Sequence, residues 1–159
     1  MREHPTLWIQ GNTSASLEGK TIVLAVTGSI AAIRTVELAR ELIRRGADVY
    51  AVMSEAASWI LHPMALHYAT GHEAITRITG AVEHVEFCGM SGKADLLLIA
   101  PATANTIGKI ASGIDDTPVT TFATTAIGAS IQVMIVPAMH EAMYNHPALI
   151  ENLEKIKSW

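Results

Sequence analysis

Four short segments gather small, hydroxylic and amide residues behind apolar runs: Thr27-Gly28-Ser29, Ser54, Pro101–Thr106 (PATANT) and Pro137–Tyr144 (PAMHEAMY). A Gly-Ser turn at the end of a strand has two uses. The glycine lets a ligand approach the backbone closely, and the serine caps the next helix, whose first-turn N–H groups attract an anion. For Ser29 both readings stand, a cap alone or a cap beside a phosphate site, and the same pair holds for Ser54. Gly28 is not followed by the second and third glycines of G-x-G-x-x-G, so a mononucleotide phosphate suits this turn better than a dinucleotide. Pro101–Thr106 is more specific. Thr103, Asn105 and Thr106 crowd three hydrogen-bonding side chains where a structural turn needs one, and a polar ring edge or a polyol chain would supply their partners.

Seven histidines are present. His62, His67 and His72 recur every five residues, which matches neither one helix face nor a usual zinc spacing, and no cysteine assists, so no metal site is expected. His84 stands apart, within Val82–Phe87 (VEHVEF) just ahead of an apolar strand. Locally it reads as a partly exposed position on a short helix or as an imidazole available for proton transfer. Asp115 and Asp116 are consecutive and suit a turn better than a shared substrate, while Glu83 and Glu86 suit a solvated face. No G-x-S-x-G, H-E-x-x-H or phosphate-loop pattern occurs.

These segments need elements to hold them. Thr21–Val26 (TIVLAV) is a β-branched run typical of a strand buried on both sides of a parallel sheet, and Ile30–Arg45 carries a helical apolar stripe closed by Arg44, Arg45 and Gly46. Asp48–Met53 reads as the next strand, completing a parallel crossover unit. Ser54–Leu61 is a short capped helix with Pro63 beyond it, and Leu66–Thr79 is ambiguous. Ala94–Ala100 (ADLLLIA) reads as a buried strand stopped by Pro101, followed by a helix at Ala104–Ala111, a turn at Gly113–Pro118 and helical residues at Val119–Thr125. Gln132–Val136 reads as another buried strand closed by Pro137, and Pro147–Lys157 as the last helix. Strands alternating with helices predict one doubly wound α/β domain over residues 21–159, with ligands expected beyond the carboxyl ends of the strands. Residues 1–20 lack periodicity and read as an arm, laid on a neighbour through Leu7, Trp8 and Ile9 or frayed.

Composition narrows the class further. Half of the 159 residues are hydrophobic and only 16% are charged, which excludes a disordered chain. No apolar stretch nears the length of a membrane span, and a net charge of −4 without a basic run argues against nucleic acid as a partner. One cysteine, Cys88, permits no internal disulfide, and residues 1–8 lack the apolar core of a secretion signal, so a cytoplasmic location is expected. So much apolar surface on a short chain predicts burial between subunits.

Taken in order and spacing, Thr27–Ala32 (TGSIAA), Ser54, His84, PATANT and PAMHEAMY resemble the flavin-containing cysteine decarboxylases, most closely the branch that acts on phosphopantothenoylcysteine in coenzyme A biosynthesis. The resemblance runs from about residue 18 to Trp159. It implies a flavodoxin-like, Rossmann-type three-layer fold with a central parallel sheet, assembled as homotrimers or dodecamers of trimers, with FMN at the subunit interface. Gly28, Ser29, Ile30 and Ser54 would hold the phosphate and ribityl end, and Pro101, Ala102, Thr103, Ala104, Asn105 and Thr106 would line the flavin. His84 matches the family's active-site histidine. The implied chemistry oxidises the cysteinyl CH2–SH to a thioaldehyde, so that CO2 leaves from a position β to C=S as an enethiolate forms.

Two features depart from the family pattern. The third loop there reads P-x-M-N-x-x-M-W, with the Asn orienting the substrate carboxylate; here His140 and Tyr144 replace Asn and Trp, while Pro137, Met139 and Met143 are kept. A histidine can donate to a carboxylate, with charge assistance if protonated, so His140 and Met143 are expected to contact substrate and the pH profile to change. The family also closes a cysteine-bearing flap downstream of the last helix, and Cys88 does not match it. The expectation is therefore a fragment of a longer protein, followed by that flap and a ligase domain, which binds FMN and completes only the oxidative half-reaction. Other readings are a flavin prenyltransferase, a flavin-dependent pterin reductase or a non-catalytic FMN-binding oligomer; the prenyltransferases resemble the chain less because they carry Lys where Asn105 stands.

Overall fold

The computed structural model describes residues 4–159; the first three residues of the expected arm lie outside the described residues. A 3-10 turn at Pro5–Ile9 leads to β1 (Thr21–Val26), a second 3-10 turn at Ile30–Arg34 and α1 (Thr35–Arg44). Then come β2 (Asp48–Met53), α2 (Glu55–Ile60), α3 (Pro63–Thr70), α4 (Glu83–Cys88), β3 (Leu96–Ala102), α5 (Ala104–Ser112) and α6 (Pro118–Gly128). The chain ends with β4 (Gln132–Pro137), α7 (Glu141–Tyr144) and α8 (Pro147–Lys157). The strands pair in parallel in the order β2-β1-β3-β4. The result is the expected α/β sandwich: a parallel sheet with helices on both faces.

Side-chain alternation along the strands divides the core in two. Leu24, Val26, Val49 and Met53 face α1 and α3, where Ile43 and Leu66 complete one cluster. Val23, Ala25, Leu97 and Ile99 face the other way, where Phe87, Ile107 and Phe122 come from α4, α5 and α6. The first cluster takes residues from β1, β2 and β3 but none from β4. That absence corrects the expectation of a buried fourth strand. β4 is an edge strand whose residues alternate between exposed and half-buried, because α1 and α3 do not reach over it.

Proline explains two further differences. Pro63 does not terminate α2 but opens α3, where a proline loses no helical hydrogen bond, and so the ambiguous stretch begins with a helix. Pro101 does not stop β3. The strand continues to Ala102 through a cis Ala100–Pro101 peptide, and Ala138 N donates to Ala102 O at 3.0 Å.

Helix starts in this chain use histidine unusually often. His4, His62, His140 and His146 each accept at Nδ1 from a backbone N–H two residues on, at 3.1–3.3 Å. The opening segment lies on its own chain: Thr6 Oγ1 donates to Tyr68 O at 2.6 Å, Gln10 Nε2 donates to Gly46 O at 3.1 Å, and Ile9 and Leu17 pack against the first core cluster. No helix among the described residues is long and apolar enough to cross a membrane. Phe122 is fully buried in the second cluster, so Phe122→Ala is expected to lower stability by about 3–5 kcal/mol, read as a lower urea midpoint.

Candidate active site

The carboxyl ends of all four strands are tied into one rim. Thr27, buried at the end of β1, donates from Oγ1 to Pro101 O at 2.6 Å, while its hydroxyl oxygen accepts from Thr103 N at 3.0 Å. This one hydroxyl joins the loop after β1 to the loop after β3. Gly28 brings the β2 end close: a Cβ built there would lie 2.6 Å from Ala56 Cβ, so only glycine lets α2 sit against the β1 turn. The close approach that the sequence assigned to a ligand is thus taken by a helix of the same chain. Two helical starts then lie side by side. Ser29 caps the 3-10 turn by accepting from Ala31 N at 3.3 Å, and Ser54 caps α2 by accepting from Ala57 N at 3.2 Å. Ile30 beside them is largely exposed.

The PATANT loop splits into structural and outward-facing parts. Pro101 and Ala102 are buried in the strand, and Thr103 caps α5, accepting from Thr106 N at 3.3 Å and donating to Thr106 Oγ1 at 3.1 Å. Asn105 is exposed, and its side chain makes no hydrogen bond among the described residues. Ala104 lines a cavity of about 270 Å3 together with Met143, His146 and Asn152, joining this loop to the one after β4. His140 caps α7 and is exposed. Its Nδ1 accepts from Ala142 N at 3.2 Å, which fixes a neutral ring as the Nε2–H tautomer.

His84 lies in the first turn of α4. Its Nδ1 is buried and has no hydrogen-bond partner among the described residues. Val82, just before the helix, adopts a left-handed conformation (φ 48°) that a β-branched residue takes only when its surroundings enforce it. Glu83 accepts from the Thr79 amide and hydroxyl, which holds its carboxyl below the usual range and secures the entry to α4. Among the described residues, His84 makes no side-chain hydrogen bond to the strand-end loops.

The other candidate residues have structural placements. His62 caps α3, His67 lies 5.9 Å from the His4 ring and His72 pairs with Asp48, so the three do not converge. Asp115 accepts from Thr121 Oγ1, and Asp116 pairs with Lys109 at 2.7 Å. Both acids line a cavity of about 520 Å3 with Glu55, Thr76, Arg77 and Thr117. Arg77 escaped the sequence reading, and so did the role of Thr27 as a tie: nothing local marks a threonine that bonds to a loop 74 residues away. Cys88 is buried, and burial pushes its thiol up to about 11.

The family described as Flavoprotein matches residues 10–159 of this chain. The chain is 59% identical over 155 residues to the coenzyme A biosynthesis bifunctional protein CoaBC of Thermococcus kodakarensis, covering 97% of this chain and 38% of that protein. It thus spans well under half the length of this curated relative. Among solved structures, the FMN-dependent cysteine decarboxylase SpaF superposes with a TM-score of 0.79 at 28% identity, over 89% of this chain and 81% of that one. A PPC decarboxylase mutant complexed with pantothenoylaminoethenethiol superposes with a TM-score of 0.71 at 27% identity, over 87% and 78% of the two chains.

Thr27→Val keeps the side-chain shape and removes both hydroxyl bonds, leaving the buried Thr103 N–H without its acceptor. It is expected to lower stability by about 2 kcal/mol, read as a lower urea midpoint with an unchanged slope, with Thr27→Ser restoring most of the loss.

Proposed function

The chain belongs to the flavoprotein family, and from that premise we propose that it binds FMN at the strand-end crevice and decarboxylates phosphopantothenoylcysteine in coenzyme A biosynthesis. Support comes from the likeness to a coenzyme A biosynthesis bifunctional protein, to an FMN-dependent cysteine decarboxylase and to a PPC decarboxylase. The observation that carries the reading is the convergence of the loops after β1, β2 and β3, stitched by Thr27 and Gly28. These residues fit the cofactor. The backbone N–H groups of Gly28 and Ile30 and of the turn capped by Ser54, with the Ser29 hydroxyl, suit a phosphate, and the exposed Asn105 carboxamide with Thr103–Thr106 suits a flavin edge.

When bound, FMN supplies the two-electron oxidation of the cysteinyl CH2–SH to a thioaldehyde, from which CO2 departs. The protein positions the thiol and the carboxylate and excludes water. His84 holds or moves the proton at the thiol through Nε2, because Nδ1 is enclosed within its own chain and out of reach of a ligand. His140 uses Nδ1 as the α7 cap and so turns Nε2–H outward as a donor to the substrate carboxylate, beside Met143. An Asn at a cap has the same two faces, an oxygen that accepts and an NH2 that donates, which explains why His can stand where the family pattern has Asn.

The reading includes a homotrimer in which His84 of one subunit completes the crevice of the next. Two separate apolar patches support a head-to-tail ring: Val82, Val85 and Met90 around His84, and Ile30, Ile33 and Trp59 around the capped turns. Residues 21–159 form the FMN-binding domain, and residues 1–20 its arm. The same reading puts the protein in the cytoplasm, where a lone thiol stays reduced.

The purified protein is expected to quench flavin fluorescence on titration with FMN and to bleach the bound flavin's visible band in anaerobic single turnover with phosphopantothenoylcysteine. His84→Asn is expected to keep flavin affinity and slow bleaching by about 100-fold or more; bleaching at the wild-type rate would remove His84 from the mechanism. At the third loop, His140→Asn is expected to preserve substrate affinity. His140→Asp, which caps α7 but donates nothing, is expected to weaken it about tenfold, measured by the substrate concentration that half-saturates bleaching.

A further inference from the structure

A second cluster of titratable and aromatic side chains lies at the opposite end of β2 from the crevice. His72 Nε2 and Asp48 Oδ1 are 2.7 Å apart, and the His72 ring stacks on Tyr50 with centroids 4.0 Å apart and planes 13° from parallel. Tyr50 packs in turn against Phe87, at 4.5 Å. Lys93 closes the stack, with Nζ 4.3 Å from the Phe87 centroid and a 2.7 Å ion pair to Glu86. Asp48 and Tyr50 belong to β2, and Glu86 and Phe87 to α4. His72 begins the segment that joins α3 to α4.

That segment is a strap. Among the described residues 71–82, Ile75 makes the backbone bonds to the sheet: its N–H donates to Ala51 O and its carbonyl accepts from Met53 N, both at 2.8 Å. Beyond Ile75 the strap passes Arg77, turns through left-handed Val82 and delivers His84 to the first turn of α4. Phe87 lies three residues after His84, about one turn further along the same short helix. The cluster therefore grips the path to His84 twice, at the strap's start through His72 and on α4 through Phe87.

We propose that the Asp48–His72–Tyr50–Phe87 stack is a brace that sets the placement of His84, which makes Asp48, Tyr50 and His72 positioning residues for the reaction. The inference rests on the reading of His84 as the proton-handling group. The charged groups facing the brace are Glu86 and Lys93, and they neutralise one another. The hydrogen bond from His72 holds the Asp48 carboxyl below its usual range, so the pairing is complete above the ordinary carboxylate pKa and fails only as pH falls through that lowered value. Burial, with Asp48 adding to it, pushes the Tyr50 phenol up to about 12, so the ring stays neutral across the working range.

The test combines amide exchange on the cofactor-free protein with single-turnover flavin bleaching on the FMN-loaded protein. His72→Ala and Asp48→Ala are expected to speed exchange at Ile75 and Met53 about tenfold. They should also slow bleaching several-fold at an unchanged half-saturating substrate concentration, and shift the His84 ring titration seen by NMR. Asp48→Asn, which can still accept from Nε2–H, is expected to restore all three. Unchanged exchange in both alanine variants would overturn the brace. Faster exchange with wild-type bleaching and an unmoved His84 titration would overturn its positioning role. If His84→Asn itself bleaches normally, the functional reading fails while the exchange result still decides the brace.

Discussion

The crevice depends on one buried hydroxyl. Thr27 gives its proton to the Pro101 carbonyl and takes the Thr103 amide, so the loops after β1 and β3 cannot move apart without leaving polar groups unpaired in an apolar setting. Parallel pairing aligns the strands, and the Thr27 amide also donates to Pro101 O at 3.2 Å. The Thr27 hydroxyl bonds reinforce that tie at the point where two helical starts and a polar loop meet. Gly28 adds a steric constraint in the same turn, since its missing side chain is what admits Ala56. Together they turn three chain segments into one surface.

His84 gives the opposite impression, of a residue prepared for something the single chain does not contain. It has a buried nitrogen without a partner, follows a strained valine and stands among exposed apolar side chains. Polar atoms are seldom buried unpaired without cause, and large apolar side chains are seldom clustered in water without cause. In the proposed trimer a neighbouring subunit would cover the apolar side chains, and part of the apolar excess in the composition would lie in that contact.

The strands were legible where physics left little choice. β1 is an apolar run rich in β-branched residues and β2 a mostly apolar one, and their limits at Thr21–Val26 and Asp48–Met53 are those seen in the structure. The capped turns at Ser29 and Ser54 could also be read, because a hydroxyl ahead of a helix has a local purpose, whereas Thr103, read for a ligand, also proves to cap a helix. Proline misled twice, at Pro63 and Pro101, because it is compatible with both the start and the end of an element. The exposure of β4 was invisible because an apolar run looks the same whether or not a helix covers it. Thr27 and the His72–Asp48 pair were hidden for a different reason: their partners are distant in sequence, and no local pattern encodes a long-range hydrogen bond.

The four histidine caps give the chain an uncommon relation to acidity. Ser, Thr or Asn at such junctions keeps its acceptor at any ordinary pH, but an imidazole that takes up a proton at Nδ1 presents a donor to the amide it had accepted from, and adds positive charge at the positive end of the helix dipole. The same reliance on an unprotonated Nδ1 is repeated at four junctions, from the first turn at Pro5 to the last helix at Pro147. What rests on it is local order at the helix starts, spread along the polypeptide, while the apolar core beneath the helices takes no part.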